Sequence, residues 1–403
     1  MKIVLVSPSQ KFLSNPKMAE PIGLMYLEGV LDNLGIENEM VDLSFDKIIP
    51  EADVYFFTGA TIHYNNTVKL LSTLSKESIK VLGGSHASAL PEECLKDFDI
   101  VVKGPGELVI QKILNNIKEK TIYYSKNENL NLIPIPKRKI WNRIQYETYM
   151  DGVKSCSLMA SRGCPYKCAF CASNVIWGRD VVFRDPDSIF DEIKYLKDTY
   201  GTKHYKFIDD IFPFNKKFFK NVSEKISQLD IKWFCESRVD SITDYMLDVM
   251  VNNGGTFINL GIESVEQKVL DSISKKLNIE DAKKVIKKIK DKGLGVKLFL
   301  ISGLPFESDN IVENTISFIK ETQPTKVSLF TLVPYPGTDI WKNPKKYNIK
   351  QFNSNYDNYQ HSVGKNKEEF SWMPTVEYND RDSFLLREQR NKLKSFTEEW
   401  NKK

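Results

Sequence analysis

The sequence predicts an α/β fold with two successive parallel-sheet units and a short C-terminal helical tail. Three observations predict it. Residues 1–125 alternate between short apolar strands and helices, the alternation resumes about six times from Ser155, and a stretch with two prolines, Ile133-Pro-Ile-Pro136, separates the two series. Strands that alternate with helices form parallel sheets with both faces covered. We therefore divide the chain into 1–126, a linker at 127–153, a second unit at 154–340 and an extension at 341–403.

The first series begins with the apolar run Lys2-Ile-Val-Leu-Val-Ser7, followed by helical apolar spacing over 21–31. Further strands are predicted at 39–43, 53–59, 80–84 and 99–104, with helices through 68–71 and over 107–117. Glycines and small polar residues follow three of these strands, at 58–65, 83–92 and 103–107. Parallel sheets bind ligands at the carboxyl ends of their strands, and small residues let backbone amides approach a large polar ligand. The first unit is thus predicted to be Rossmann-like, with a ligand site on this rim.

The second series predicts an open (β/α)6 barrel, two units short of the closed eight. Its helices include 188–200 and 265–292, and polar residues follow each strand. Catalytic groups of parallel barrels gather at those strand ends. The tail beyond 341 is polar and rich in tyrosine, and 383–403 is predicted to be a charged surface helix. The six barrel strands are predicted at 157–160, 204–208, 232–236, 256–261, 296–301 and 327–333.

Composition excludes several classes of protein. Hydrophobic residues make up 41% and charged residues 27% of the 403 residues, which is typical of globular proteins. The net charge of +4 is spread over interleaved acidic and basic residues, which gives no argument for nucleic acid. No apolar run has the length of a membrane span, and Met1-Lys-Ile-Val-Leu-Val lacks the pattern of a signal peptide. We expect a cytoplasmic protein with no membrane span.

Cys164, Cys168 and Cys171 stand in the run Ser161-Arg-Gly-Cys-Pro-Tyr-Lys-Cys-Ala-Phe-Cys-Ala-Ser173, with C-x3-C-x2-C spacing. Three thiolates so close together can hold three corners of one [4Fe–4S] cluster and leave the fourth iron open. A structural zinc site would need a fourth ligand, and a disulfide framework suits short secreted chains. The remaining cysteines, Cys94, Cys156 and Cys235, are interpreted as small buried hydrophobic residues.

The cysteine segment closely resembles the radical S-adenosylmethionine (radical SAM) enzymes. The resemblance implies a [4Fe–4S] cluster held by the three cysteines, S-adenosylmethionine, and an external electron donor such as flavodoxin or ferredoxin. A Gly-Gly-Glu motif that many members carry on the second barrel strand is absent here. By resemblance, the S-adenosylmethionine contacts are Arg238 for the carboxylate, Glu236 or Asp209 for the amine, Glu263 or Ser264 for the ribose, and Phe170, Gly303 and Pro305 around the adenine.

The first unit resembles the cobalamin-binding domain that precedes the catalytic domain in one large radical SAM subclass. Many cobalamin proteins carry Asp-x-His-x-x-Gly after the first strand, whereas the loop from Ser7 to Ser14 has no histidine, so the cobalt would lack that ligand. His63 and His86 lie on the predicted rim, where a loop histidine that hydrogen-bonds the backbone is the alternative to a cobalt ligand. The cobalamin contacts implied by the resemblance are Ser9, Thr61, His63, Gly83, Gly84, His86, Gly104 and Glu107.

The resemblance implies a cobalamin-dependent radical SAM methyltransferase (EC 2.1.1.-) that acts on a small-molecule or peptide substrate. In such enzymes a 5′-deoxyadenosyl radical removes hydrogen from an unactivated carbon, and methylcobalamin supplies the methyl group. Three alternatives stay open. The protein could use both cofactors to cyclise, oxidise or rearrange its substrate without methyl transfer. It could instead be a radical SAM enzyme that has lost cobalamin, or a cluster-binding protein without enzymatic activity.

Overall fold

The computed structural model describes residues 1–10, 12–150, 152–360 and 374–402. They form two α/β units in series and a C-terminal extension. Residues 361–373 of the predicted extension and residue 151 of the predicted linker lie outside the described residues. No helix within the described ranges has the length and apolar character that crossing a bilayer requires.

The first unit is a six-stranded parallel sheet in the order β2-β1-β3-β4-β5-β6, a Rossmann-like arrangement. Alternate residues of β1 belong to two different apolar clusters, Ile3 and Leu5 on one face and Val4 and Val6 on the other. Helices therefore cover both faces of the sheet. The strands are β1 Ile3–Ser7, β2 Asn38–Asp42, β3 Val54–Thr58, β4 Ile79–Gly83, β5 Ile100–Lys103 and β6 Thr121–Tyr124, and the helices are α1 Ile22–Asn33, α2 Tyr64–Leu71, α3 Ser85–Ala89, α4 Pro91–Cys94 and α5 Ile110–Asn115.

The second unit is an open barrel of six parallel strands, with one antiparallel strand, β7, at its edge. The sheet order is β15-β14-β13-β12-β11-β8-β7. The strands are β7 Thr148–Met150, β8 Val153–Leu158, β11 His204–Phe207, β12 Lys232–Ser237, β13 Gly255–Glu263, β14 Gly295–Ser302 and β15 Lys326–Thr331, while β9 Ser161–Arg162 and β10 Val182–Phe183 form a separate antiparallel pair. The helices are α6 Ser173–Ile176, α7 Pro186–Tyr200, α8 Lys216–Ser227, α9 Asp244–Asn252, α10 Gln267–Ser272, α11 Ile279–Asp291 and α12 Ile311–Thr322.

The barrel strands have one face against the helices and one face toward the barrel interior. In β14, Val296, Leu298 and Leu300 are buried in the main core, whereas Lys297 and Phe299 between them are partly exposed. We call the second face, continued on β11, β12, β13 and β15, the lumen face. Cys235 lies on the opposite face in the main core, where burial raises the pKa of its thiol, so it is a core residue as interpreted.

The described residues of the extension pack against the second unit. Its elements are α13 Asp339–Lys342, β16 Ile349–Phe352, β17 Val376–Tyr378 and α14 Ser383–Trp400. α14 is not wholly a surface helix, because Leu386 and Leu393 are buried and Leu393 packs against Ile311 and Val312 of α12. Short 3-10 helices lie at Pro16–Met18, Thr61–His63, Leu130–Leu132, Lys139–Asn142, Val239–Ser241, Pro344–Tyr347 and Tyr356–Asn358.

The structure differs from the expected elements in four places. The helix predicted over 265–292 is two helices, α10 and α11, because Ser274 and Lys276 between them take positive φ values of 55° and 52°. The helix predicted over 107–117 is shorter, since α5 covers only Ile110–Asn115. Strands β6 and β7 extend the two sheets beyond the expected strands.

Candidate functional site

The three-cysteine loop, which we call the cluster loop, runs from Cys164 to Cys171 between β9 and α6. Gly163 starts it with a φ of 101°, and a Cβ there would collide with the carbonyl oxygen of Asp180, so this position requires glycine. Backbone hydrogen bonds of Ala169 fix the middle of the loop. Its N–H donates to the carbonyl oxygen of Ile273 at 2.8 Å, and its carbonyl oxygen accepts from the N–H of Ile340 at 3.0 Å. The backbone therefore holds the loop from two neighbouring segments.

All three cluster-loop cysteines are free and partly exposed. Burial raises the pKa of Cys171 to about 12 and also raises the pKa of Cys164, so binding of metal would have to displace protons. Among the described residues, no three His, Cys, Asp or Glu side chains converge as ligands of a single metal ion.

Asp209 and Asp210 follow β11 and bind residues on the two sides of the cluster loop. Asp209 is buried, and its carboxylate accepts hydrogen bonds from the N–H groups of Ala160 and Ser161 and from the Ser161 hydroxyl at 2.6 Å. Burial raises the pKa of Asp209 to about 6. Asp210 accepts from Ser173 Oγ at 2.6 Å. Asp209 is thus occupied in fixing the segment that leads into the cluster loop.

Arg238 lies directly against the cluster loop. Its Nη1 is 3.4 Å from Cys168 Sγ, and its guanidinium stacks 3.7 Å from the centre of the Tyr166 ring. Asp240 binds the other side of the guanidinium, at 2.8 Å from Nε. Asp240 therefore orients Arg238. This position suits the predicted binding of a carboxylate by Arg238 next to the cluster.

The other predicted S-adenosylmethionine residues surround the barrel mouth. Glu263 ends β13 with a φ of 69°, and its carboxylate pairs with buried Lys275 at 2.8 Å, while Ser264 follows and is buried. Glu236 lies on the lumen face and pairs with Lys206 at 2.7 Å. Glu236 and Asp209 are the two alternatives for binding the amine of S-adenosylmethionine. Glu236 lies on the lumen face, whereas Asp209 binds the segment that leads into the cluster loop.

The predicted adenine border is built from two segments. Phe170 packs against an apolar cluster that includes Leu304. Leu304 stands in the sequence between Gly303 and Pro305, and Pro305 is buried. Glu307 holds this turn, because its carboxylate accepts from the N–H groups of Gly303 at 3.1 Å and Leu304 at 3.0 Å. Burial raises the pKa of Glu307 to about 7, although Arg381 pairs with it at 3.1 Å. Glu307 therefore fixes the turn at Gly303.

A largely apolar cavity lies at the carboxyl edge of the first sheet, where Gly83, Gly84, Gly104 and Glu107 of the predicted cobalamin site meet. Ile176 and Trp177, which follow the cluster loop, complete its wall. A Cβ at Gly83 would enter open space, with no atom within 4 Å. The remaining lining residues are Gly23, Leu24, Leu27, Phe56, Phe57, Thr58, Val81, Val102, Pro105, Gly106, Ile110 and Ile113.

Two of the rim glycines are explained by backbone packing. Gly84 has a φ of 96°, and a Cβ there would lie 2.9 Å from the backbone of Gly59. Gly104 has a φ of 93°, and its Cβ would collide with the carbonyl oxygen of Ser125. Gly84 and Gly104 are therefore required by the fold itself, whereas the open space at Gly83 leaves room for a ligand.

The other predicted cobalamin residues form a polar rim beside the cavity. His63 Nε2 lies 3.1 Å from Gln10 Oε1, and His86 Nδ1 lies 3.2 Å from Thr61 Oγ1. Burial lowers the pKa of both histidines to about 4, which keeps them neutral. Ser9 Oγ and His86 Nε2 are buried and have no hydrogen-bond partner within the described ranges. Such orphaned atoms fit a polar ligand at this rim.

Arg162 connects the cluster loop to the cavity at the first sheet. It precedes the cluster loop, and its guanidinium pairs with Glu107 at 2.6 Å and stacks between the rings of Tyr26, at 5.1 Å, and Trp177, at 4.7 Å. Glu107, predicted as a cobalamin contact, is thus bound to the second unit. Sequence reasoning did not assign roles to Arg162, Lys275 or Arg381. Only Arg162 had a local signal, its position beside the cysteines.

Comparisons with known proteins agree with this geometry. Residues 158–319 match the model of the Radical SAM superfamily. An uncharacterized methyltransferase of Pyrococcus horikoshii is 29% identical over 85% of this chain and 83% of its own. The cytidylyl-2-hydroxyethylphosphonate methyltransferase of Streptomyces wedmorensis is 22% identical over 84% of this chain and 80% of its own.

A solved structure shares the fold of both units. The radical S-adenosylmethionine methyltransferase TsrM of Kitasatospora setae, with cobalamin and a [4Fe–4S] cluster bound, superposes with a TM-score of 0.65 at 17% identity, over 84% of this chain and 73% of that one. A second structure of TsrM holds its tryptophan substrate and an S-adenosylmethionine analogue, with a TM-score of 0.66, 17% identity and coverage of 85% and 76%. The cysteine motif and most of the barrel lie within residues 158–319, the part of this chain that matches the Radical SAM superfamily.

Proposed function

We propose that this protein is a cobalamin-dependent radical SAM methyltransferase that methylates an unactivated carbon of a small molecule. One observation carries the proposal: Ile176 and Trp177, just beyond the cluster loop, form part of the wall of the cavity at the edge of the first sheet. A cofactor held over that sheet would therefore lie next to a cluster held by Cys164, Cys168 and Cys171. Methyl transfer to a substrate radical needs these two cofactors to be neighbours.

The residues present fit the cofactors. The open space at Gly83 and the orphaned Ser9 Oγ and His86 Nε2 suit a large, partly polar ligand at the first unit. Three free thiols on one fixed loop suit three irons of a cluster. When bound, the cluster and cobalamin supply the radical and methyl-transfer chemistry that side chains cannot perform.

The chain's own residues position and shield the reactants in this proposal. Arg238 would bind the carboxylate of S-adenosylmethionine beside Cys168, and the Glu263 carboxylate, steadied by Lys275, would accept hydrogen bonds from the ribose. Phe170 and the Gly303 turn would border the adenine. The enclosed barrel mouth would keep water and oxygen from the radical. The relatives include methyltransferases and also the anaerobic magnesium-protoporphyrin IX monomethyl ester cyclase of Rubrivivax gelatinosus, so the choice of methyl transfer rests on the proximity of the cavity to the cluster loop.

Anaerobic turnover tests the proposal. We would reconstitute the protein with iron, sulfide and cobalamin, add S-adenosylmethionine and dithionite, and measure 5′-deoxyadenosine and S-adenosylhomocysteine by mass spectrometry. We expect both products from the wild type, and at least a 100-fold loss of 5′-deoxyadenosine in Cys168→Ala. Cys235→Ala, a core cysteine away from the loop, is the matched control and should retain its iron. 5′-Deoxyadenosine without any S-adenosylhomocysteine would refute methyl transfer, and absence of both would refute radical SAM activity.

A further inference from the structure

We propose that Arg238 raises the reduction potential of the cluster by donating a charge-assisted hydrogen bond to the Cys168 sulfur, and that Asp240 limits this increase. The inference rests on the proposed function, because it requires a cluster held by Cys164, Cys168 and Cys171. It gives Arg238 a role in the one-electron reduction of the cluster, in addition to the predicted contact with S-adenosylmethionine.

The side chain of Arg238 brings a buried positive charge to a cysteine of the cluster loop. Its Nη1 lies 3.4 Å from Cys168 Sγ, within hydrogen-bonding distance of a sulfur acceptor. The Arg238 side chain is 6% exposed, so solvent and salt screen its charge much less than that of a surface residue. Because a cysteine that binds iron is a thiolate, this hydrogen bond would join two charged groups and be stronger than a neutral one.

The chain itself fixes the guanidinium in this position. Nε and Nη2 bind the two carboxylate oxygens of Asp240 at 2.8 and 3.1 Å, and Nη2 also donates to the carbonyl oxygen of Lys275 at 2.5 Å. With the bond to Cys168, four of the five N–H groups of an arginine are used, and the Tyr166 ring covers the flat face of the guanidinium at 3.7 Å. One N–H is left for the carboxylate of S-adenosylmethionine, so the two roles of Arg238 are compatible.

The direction of the effect follows from the charges. Reduction adds one electron to the cluster, supplied by an external carrier such as ferredoxin or flavodoxin, and transfers no atom. The potential of an iron–sulfur cluster depends on its net charge and on hydrogen bonds to its sulfurs. A cation that donates to a ligand sulfur stabilises the reduced, more negative state, so Arg238 raises the potential. The carboxylate of Asp240 has the opposite charge and binds the same guanidinium, so it makes the increase smaller.

A redox titration tests the inference on the full chain. The proteins would be reconstituted anaerobically with iron, sulfide and cobalamin and reduced stepwise with titanium(III) citrate, without S-adenosylmethionine. The reduced cluster is measured by electron paramagnetic resonance at each potential. For Arg238→Gln we expect at least a 10-fold smaller equilibrium constant for reduction, which is a shift of about 59 mV to lower potential for one electron. Asp240→Asn should shift the potential in the opposite direction.

Opposite shifts separate a charge effect from damage to the structure. The exposed ion pair of Lys284 and Asp281 on α11 gives charge-matched controls, Lys284→Gln and Asp281→Asn, which should keep the potential of the wild type. Unchanged potentials in Arg238→Gln and Asp240→Asn, or shifts of both in the same direction, would overturn the inference and leave the proposed function intact. If Arg238→Gln holds no iron, the direction of the shift in Asp240→Asn decides. A wild type that holds no cluster would refute the proposed function and the inference together.

Discussion

Individual buried charges hold the site together. Glu107 with Arg162, Glu263 with Lys275, and Glu307 with Arg381 are three ion pairs whose side chains are almost wholly enclosed. Removing one partner of such a pair typically costs about 3–5 kcal/mol, since the other charge is left buried without compensation. Each pair lies at a boundary of the site: the interface of the two units, the end of β13 and the turn at Gly303.

Residue-level titration gives a testable pH dependence. Burial lowers the pKa of His63 and His86 to about 4, whereas an unfolded histidine has a pKa of about 6.5. Between these values the unfolded chain binds more protons, so the free energy of unfolding should decrease as the pH falls from about 6.5 to about 4. In urea unfolding at several pH values, the free energy of unfolding of the double variant His63→Gln/His86→Gln should decrease less steeply with falling pH than that of the wild type. Parallel pH profiles for the two proteins would contradict this assignment.

At the scale of elements, features that local motifs encode could be predicted from the sequence, whereas features that depend on long-range packing could not. The spacing of Cys164, Cys168 and Cys171 predicted three ligands of one cluster, and alternation predicted the strands of both units except β6 and β7. The break between α10 and α11 could not be predicted, because the sequence there contains no glycine or proline. Ser274 and Lys276 take left-handed conformations that the fold imposes. Contacts from the extension, such as Arg381 on Glu307, depend on residues 74 apart and left no local pattern.

Helix α14 gives the prediction at this scale. Leu393 is 3% exposed and packs against α12, whereas Phe384 on the same helix is 74% exposed. Leu393→Ala should lower the free energy of unfolding by about 2–4 kcal/mol, because it removes buried methyl groups and leaves a cavity. Phe384→Ala, the matched control, should change it by less than about 0.5 kcal/mol. Denaturant unfolding of both variants measures the difference, and similar losses would show that α14 does not pack as described.

At the scale of the whole molecule, residues of both units line one cavity. The cavity takes its floor from the first sheet and part of its wall from Ile176 and Trp177, and Arg162 links the cluster loop to Glu107. The sequence predicted each unit and its cofactor by resemblance. It contained no signal for the contact between them, since that contact depends on how two independently patterned sheets pack.

The retention of cobalt tests the central claim most directly. After anaerobic reconstitution with iron, sulfide and cobalamin, desalting and metal analysis should find about one cobalt per chain together with the cluster iron in the wild type. Gly83→Leu, whose side chain would enter the open space of the cavity, should lose cobalt and keep iron, while exposed Lys76→Leu should keep both. Iron without cobalt in the wild type would contradict the account, because the cavity beside the cluster loop would then have another ligand.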